Sequence, residues 1–151
     1  MSVERLEKFI KDKKINCKIL KFDLPVITSE QAKKVVNGKI VKTIMCMLDN
    51  EPYLFVLFGE DKINFEKVKN YLKVKEVRLA KAKEVREITG YDIGELPPFS
   101  LNMKVCVDKK LLNYEDETVY CGGGTHYSLI EIKIKDLISA IENPIIFDFS
   151  L

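Results

Sequence analysis

The stretch Ile40 to Leu48, Ile-Val-Lys-Thr-Ile-Met-Cys-Met-Leu, constrains this chain more than any other. It is apolar on both alternating faces, the pattern of a strand covered on both sides. Its β-branched residues Ile40, Val41, Thr43 and Ile44 suit the pleat. The stretch therefore predicts a central strand, and it carries one misplaced charge, Lys42. Counting by twos, Lys42 shares a face with Ile40, Ile44, Cys46 and Leu48. A buried ammonium pairs, reaches solvent or loses its proton. Lys42 either snorkels over the rim of the sheet, being near the strand's start, or serves a site.

The chain has 151 residues, enough for one domain (1–151) with a real core. Hydrophobic residues at 46% and charged residues at 32% are the balance of a soluble globular protein, not of a disordered tail. No apolar run is long enough to span a bilayer, and Met-Ser-Val-Glu-Arg lacks a signal-peptide core, so a cytoplasmic protein without membrane contact is expected. The formal charge of +2 does not announce nucleic acid. Lysines do crowd the N-terminal third (Lys11, Lys13, Lys14, Lys18, Lys21, then Lys33, Lys34, Lys39, Lys42), which suits a phosphate backbone or a solvated face equally. Cys17, Cys46, Cys106 and Cys121 form no C-x-x-C pair, and His126 is the one histidine. Neither a zinc site nor any other metal or cofactor is expected, and in a reducing compartment the cysteines read as buried free thiols.

In chain order, Ser2 is placed to cap a helix with Val3, Leu6, Phe9 and Ile10 on one face, ending near Lys14. A strand follows at Lys18–Phe22. A helix capped by Thr28 or Ser29 runs through Val36 and stops at Asn37-Gly38. After the central strand, Asp49–Pro52 is a turn and Tyr53–Phe58 returns as its hairpin partner, the buried centre of the sheet. Asn64 caps a helix with Phe65, Val68, Tyr71 and Leu72 inward. Glu76–Leu79 is a strand, and Ala82–Thr89 a helix ended by Gly90. Gly90 to Leu101, rich in glycine and proline and without period, is a structured loop of the kind that carries function. Strands at Lys104–Asp108, Thr118–Cys121 and Leu129–Ile132, a helical turn at Leu111-Leu112, a helix over Lys135–Glu142 and a last strand over Ile145–Phe149 complete the chain. This order predicts an α/β (α+β) fold with a mixed, curved sheet and helices packed outside, not a doubly wound sheet.

Three features could carry chemistry: Lys42, the Gly90–Leu101 loop, and Gly122-Gly123-Gly124-Thr125-His126. Consecutive glycines let a ligand approach main-chain N–H groups, which suits an anion or oxyanion, or they simply form a wide hairpin or bulge. Neither a P-loop nor a dinucleotide fingerprint fits the spacing. His126 is the one imidazole available for acid/base work, or a surface loop residue. No Gly-x-Ser-x-Gly elbow is present.

In combination, Val41-Lys42-Thr43-Ile44, Asn64-Phe65-Glu66-Lys67-Val68, Ile88-Thr89-Gly90-Tyr91-Asp92-Ile93-Gly94 with Pro97-Pro98-Phe99, and Cys121-Gly122-Gly123-Gly124 resemble the YbaK and prolyl-tRNA-synthetase-associated editing domain family. The resemblance runs from about Glu4 to the C-terminus. It implies a barrel-like mixed sheet flanked by helices and a trans-acting deacylase that hydrolyses an amino acid wrongly attached to tRNA, with Cys- or Ala-tRNA(Pro) as the expected substrate. Lys42 matches the strand lysine needed for activity. The resemblance further implies that the aminoacyl group and acceptor end would meet Thr43, Gly94, Pro98, Phe99, Ser100, Gly122, Gly123, Gly124, Thr125 and His126. The partners implied are the mischarged tRNA and prolyl-tRNA synthetase. The chain departs from the family pattern at Glu95 and Ser100, where side chains replace glycines and would narrow the pocket or add a polar contact. A non-catalytic tRNA- or synthetase-binding module of the same fold is the alternative.

Overall fold

The computed structural model describes residues 2–151, with side chains from Val3 onward; the expected Ser2 side-chain cap lies outside the described residues. The elements in order are α1 (Ser2–Asp12), β1 (Cys17–Lys21), α2 (Ser29–Lys33), β2 (Lys39–Leu48), β3 (Glu51–Phe58), α3 (Phe65–Leu72), β4 (Val77–Leu79) and α4 (Ala82–Thr89). After them come β5 (Lys104–Asp108), a 3-10 helix (Lys109–Tyr114), β6 (Thr118–Gly122), β7 (Ser128–Lys133), α5 (Ile134–Ser139) and β8 (Ile145–Phe147).

Local chemistry sets most of these boundaries. Thr28 caps α2 through a capping box with Gln31. Asn64 Oδ1 accepts the Glu66 and Lys67 amides at the start of α3. Gly90, at φ 81°, ends α4. Asp49 and Asn50 both take positive φ, so the β2–β3 hairpin closes in two residues and β3 starts at Glu51, earlier than expected. Two helices are shorter than their sequence patterns: α2 stops at Lys33 and α5 at Ser139. Tyr71, expected inward, is 56% exposed and lies on the rim, its ring stacked on Phe147 with centroids 4.1 Å apart.

The strands form one mixed sheet in the order β1-β7-β6-β2-β3-β5-β8, with β4 also paired to β2. The sheet is open, ending at β1 and β8, and β2 and β3 lie at its centre as the apolar runs predict. Alternation along the strands builds a core on each face. Val41, Met45 and Met47 of β2 join Leu54, Val56 and Phe58 of β3 under α1, α4 and α5. Cys46 and Leu48 join Tyr53, Phe55, Leu57, Cys106 and Phe149 on the other face, beneath Val68 of α3. A third cluster of Val26, Ala32, Ile40 and Leu129 lies under α2. The cysteines are free, and burial pushes the Cys46 and Cys106 thiols up to about 12, which leaves them inert. Among the described residues no helix is long and apolar enough to cross a membrane.

One break in this sheet positions everything that follows. β3 pairs with β2 from Val41 to Leu48 along one edge. On the opposite edge β6 pairs in parallel with Lys39 and Ile40, and β4 pairs antiparallel with Cys46 to Leu48. Between those two strands, on that edge alone, the stretch from Val41 to Ile44 has no strand beside it among the described residues.

Candidate active site

The break in the β2 edge opens a cleft of about 370 Å³ bordered by Lys42, Thr43, Ile44 and Met45, with Ala80 and Val85 behind. Ile27, Ser29, Gly94 and Leu96 form the opposite wall. An inner pouch of about 40 Å³ continues from it toward Val26, Ala32, Ile40, Cys121, Gly122 and Leu129. The cleft is apolar on the β4–α4 side and polar at Lys42, the usual division of a ligand pocket.

Lys42 lies between the Ile40 cluster and the Cys46 cluster, on the face its sequence position predicted. It is half-buried, and Nζ donates to the Gly59 carbonyl at 3.0 Å. An ammonium has three protons, so two remain for a ligand. Desolvation lowers its pKa from the ordinary lysine value; the charge of Asp61 opposes that shift and Lys62 adds to it. Thr43, on the opposite face, is 7% exposed, and its buried Oγ1 has no hydrogen-bond partner among the described residues.

The walls depend on close backbone approach. Gly94 has φ 90°, and a Cβ there would collide with the Ile27 carbonyl and come within 2.8 Å of Ile27 Cβ. A Cβ at Gly122 would collide with the Leu96 carbonyl oxygen. Both glycines let chain segments meet where a side chain would hold them apart.

Of the residues expected to meet substrate, Lys42, Thr43, Gly94 and Gly122 line this cleft and pouch together. Gly123 and Gly124 lie behind the wall, and their amides donate to the Ser128 and Glu95 carbonyls, at 3.2 and 3.0 Å. Thr125 bonds Ser128 between hydroxyl oxygens 2.7 Å apart. His126 stands between Asp92 and Glu95, 3.3 Å from a carboxylate oxygen of each. Pro98 is buried, and Phe99 stacks on Phe9 in the core with centroids 5.7 Å apart. Ser100, at φ 75°, borders a separate groove with Phe99, Met103 and Ile141. Ile27, Ser29, Ala80 and Val85 carry no motif and were not legible as site residues; they arrive through the fold.

Comparison with known proteins agrees with this architecture. Residues 25–140 match the model of the aminoacyl-tRNA editing domain family. The chain belongs to that family. It is 36% identical over 81 residues to the proline–tRNA ligase of Streptococcus mutans serotype c, a match spanning 52% of this chain and 13% of that ligase. Among solved structures, the hypothetical protein APE2540 superposes with a TM-score of 0.86 at 32% identity, covering 97% of this chain and 99% of the other. A candidate trans-editing enzyme for prolyl tRNA synthetase superposes with a TM-score of 0.85 at 25% identity, covering 99% of this chain and 97% of the other.

Proposed function

We propose that this chain is a single-domain, trans-acting aminoacyl-tRNA deacylase of the cytoplasm that clears a small amino acid, alanine or cysteine, from mischarged proline tRNA. The observation that carries the reading is Lys42, an ammonium with two uncommitted protons at the edge of a cleft whose other walls are largely apolar. An aminoacyl ester is already activated, so its hydrolysis needs positioning and stabilisation of the developing oxyanion more than a strong nucleophile. Lys42 Nζ supplies a charged donor to the ester oxygen or the terminal phosphate, and Thr43, on the other face of the strand, brings a buried hydroxyl to the lining of the same cleft. Water then attacks the ester carbonyl, positioned by the neighbouring ribose hydroxyl; the acyl–oxygen bond breaks, the free amino acid leaves, and the proton given up by water passes to the departing ribose oxygen. With the Gly123 and Gly124 amides bonded inside the fold, Lys42 is the stronger candidate for oxyanion stabilisation than the glycine loop.

The pouch supports the choice of amino acid. Its volume of about 40 Å³ and its lining of Val26, Ala32, Ile40 and Leu129 suit a side chain of alanine or cysteine size. One methylene in such a pocket discriminates by ~1–3 kcal/mol.

The test is deacylation of alanine-, cysteine- and serine-charged proline tRNA by the purified protein, with Lys42→Ala alongside. Hydrolysis of one of these substrates by wild type and none by the folded variant is the expected result. Full turnover by the variant removes Lys42 from the mechanism. Salt-dependent tRNA binding without hydrolysis makes the chain a binding module instead.

A further inference from the structure

Behind the Gly94 wall, three side chains of metal-ligand type meet from two loops. His126 Nε2 is 3.3 Å from Asp92 Oδ2 and 3.3 Å from Glu95 Oε2, and the three atoms all lie within 4.8 Å of one another. The contact with Asp92 is a long hydrogen bond, and one ring nitrogen has a single proton to share between two carboxylate oxygens. Both separations equal the edge, about 3.3–3.4 Å, of a tetrahedron of donors held ~2.0–2.1 Å from a central cation.

The remaining oxygens explain why these atoms converge. Arg86 Nε donates to Asp92 Oδ1 at 2.8 Å, and the Asp92 amide donates to Glu95 Oε1 at 2.7 Å. Each carboxylate thus has one oxygen anchored in the fold and the other turned toward the imidazole. Outer partners orient metal ligands in this manner. Arg86 offsets one of the two negative charges, and the second faces the histidine.

We infer that Asp92, Glu95 and His126 form a binding site for a divalent transition cation of the zinc class. The nitrogen donor disfavours calcium and magnesium, which take oxygen ligands. Three protein ligands leave a fourth position for water, and the His126 and Asp92 side chains, 42% and 39% exposed, leave the site open to solvent. The cation ties the turn that carries Gly94 to the loop after Gly122, where the Gly124 amide already bonds Glu95 O. Its role is to brace one wall of the cleft, and the inference stands independently of which ester the cleft receives.

The experiment is titration of metal-stripped protein with Zn²⁺ by calorimetry and with Co²⁺ by visible absorption. One ion is expected to bind per chain, raising the melting temperature, with tetrahedral Co²⁺ bands free of thiolate charge transfer. Glu95→Gln and His126→Gln should each weaken binding by at least about tenfold, whereas Asp116→Asn, at a surface ion pair with Lys135, should leave it unchanged. Absence of saturable binding up to millimolar Zn²⁺, or equal binding by both ligand variants, overturns the site. Thiolate bands in the wild-type Co²⁺ spectrum also overturn it by assigning the ion to cysteine, and this readout does not depend on either variant folding.

Discussion

Gly122→Ala adds one methyl group where the fold has no room for it. The new Cβ would collide with the Leu96 carbonyl oxygen and stand 2.9 Å from the Leu96 carbonyl carbon and 3.0 Å from Glu95 O. All three are backbone atoms, so none can rotate aside; the 94–96 segment has to retreat as a unit. Retreat also stretches the Gly124 N–H bond to Glu95 O, now 3.0 Å. Overpacking of this kind costs ~1–3 kcal/mol and a lost hydrogen bond ~0.5–1.5 kcal/mol, together about 1.5–4.5 kcal/mol. For a chain of this length that is a fall in melting temperature of about 3–18 °C. Because Gly94 and Leu96 line the cleft, the same variant should lose deacylase activity below its melting point. Gly38→Ala is the control: its Cβ meets the Tyr120 ring edge at 2.8 Å, a side chain able to shift, and it should melt closer to wild type. Differential scanning calorimetry beside the deacylation assay reads both effects. A Gly122→Ala protein melting within about 1 °C of wild type refutes the close-approach argument.

Lys42→Met keeps the aliphatic stem and removes a charge that burial disfavours, so it should abolish deacylation while holding stability to within about 1 kcal/mol of wild type or raising it, read by chemical denaturation. If the ammonium form is the active one, enzyme-dependent hydrolysis is full below the depressed Lys42 pKa and falls as pH rises through it. Asp61→Asn, which removes the charge that raises this pKa, should move the falling limb to lower pH, and Lys62→Met should move it higher, in pH–rate profiles corrected for spontaneous hydrolysis. Arg78 grips both oxygens of Glu84 at 2.8 Å, and with the Lys81 amide holds that carboxyl at about 2. The folded value lies below the unfolded one, so this contribution is complete above pH 4.5 and is lost as pH falls through about 2. Arg78→Ala should therefore unfold at a higher pH in an acid titration followed by circular dichroism.

The sequence by itself determined the elements and the family. Apolar runs from Ile40 to Leu48 and from Tyr53 to Phe58, covered on both faces, predicted the central hairpin, and Asn64 and Gly90 marked helix ends, because these signals act through the backbone of a few neighbouring residues. The helix patterns that ran past Lys33 and Ser139 show the limit of such signals, since periodicity persists in sequence where the chain has already turned away. The misplaced charge of Lys42 and the glycines at 94 and 122 were legible because each breaks a local rule, and all three line the inner pouch, Lys42 and Gly94 the cleft as well. The tertiary structure alone decided what stands around them. Two strands from distant parts of the chain, β4 and β6, share one edge of β2 and leave Val41 to Ile44 uncovered between them. That edge admits Ile27, Ala80 and Val85 to the cleft, and the loop facing it brings His126 to Asp92 and Glu95, more than 30 residues earlier. Such meetings follow from strand order and register, which the spacing of residues along a chain does not encode.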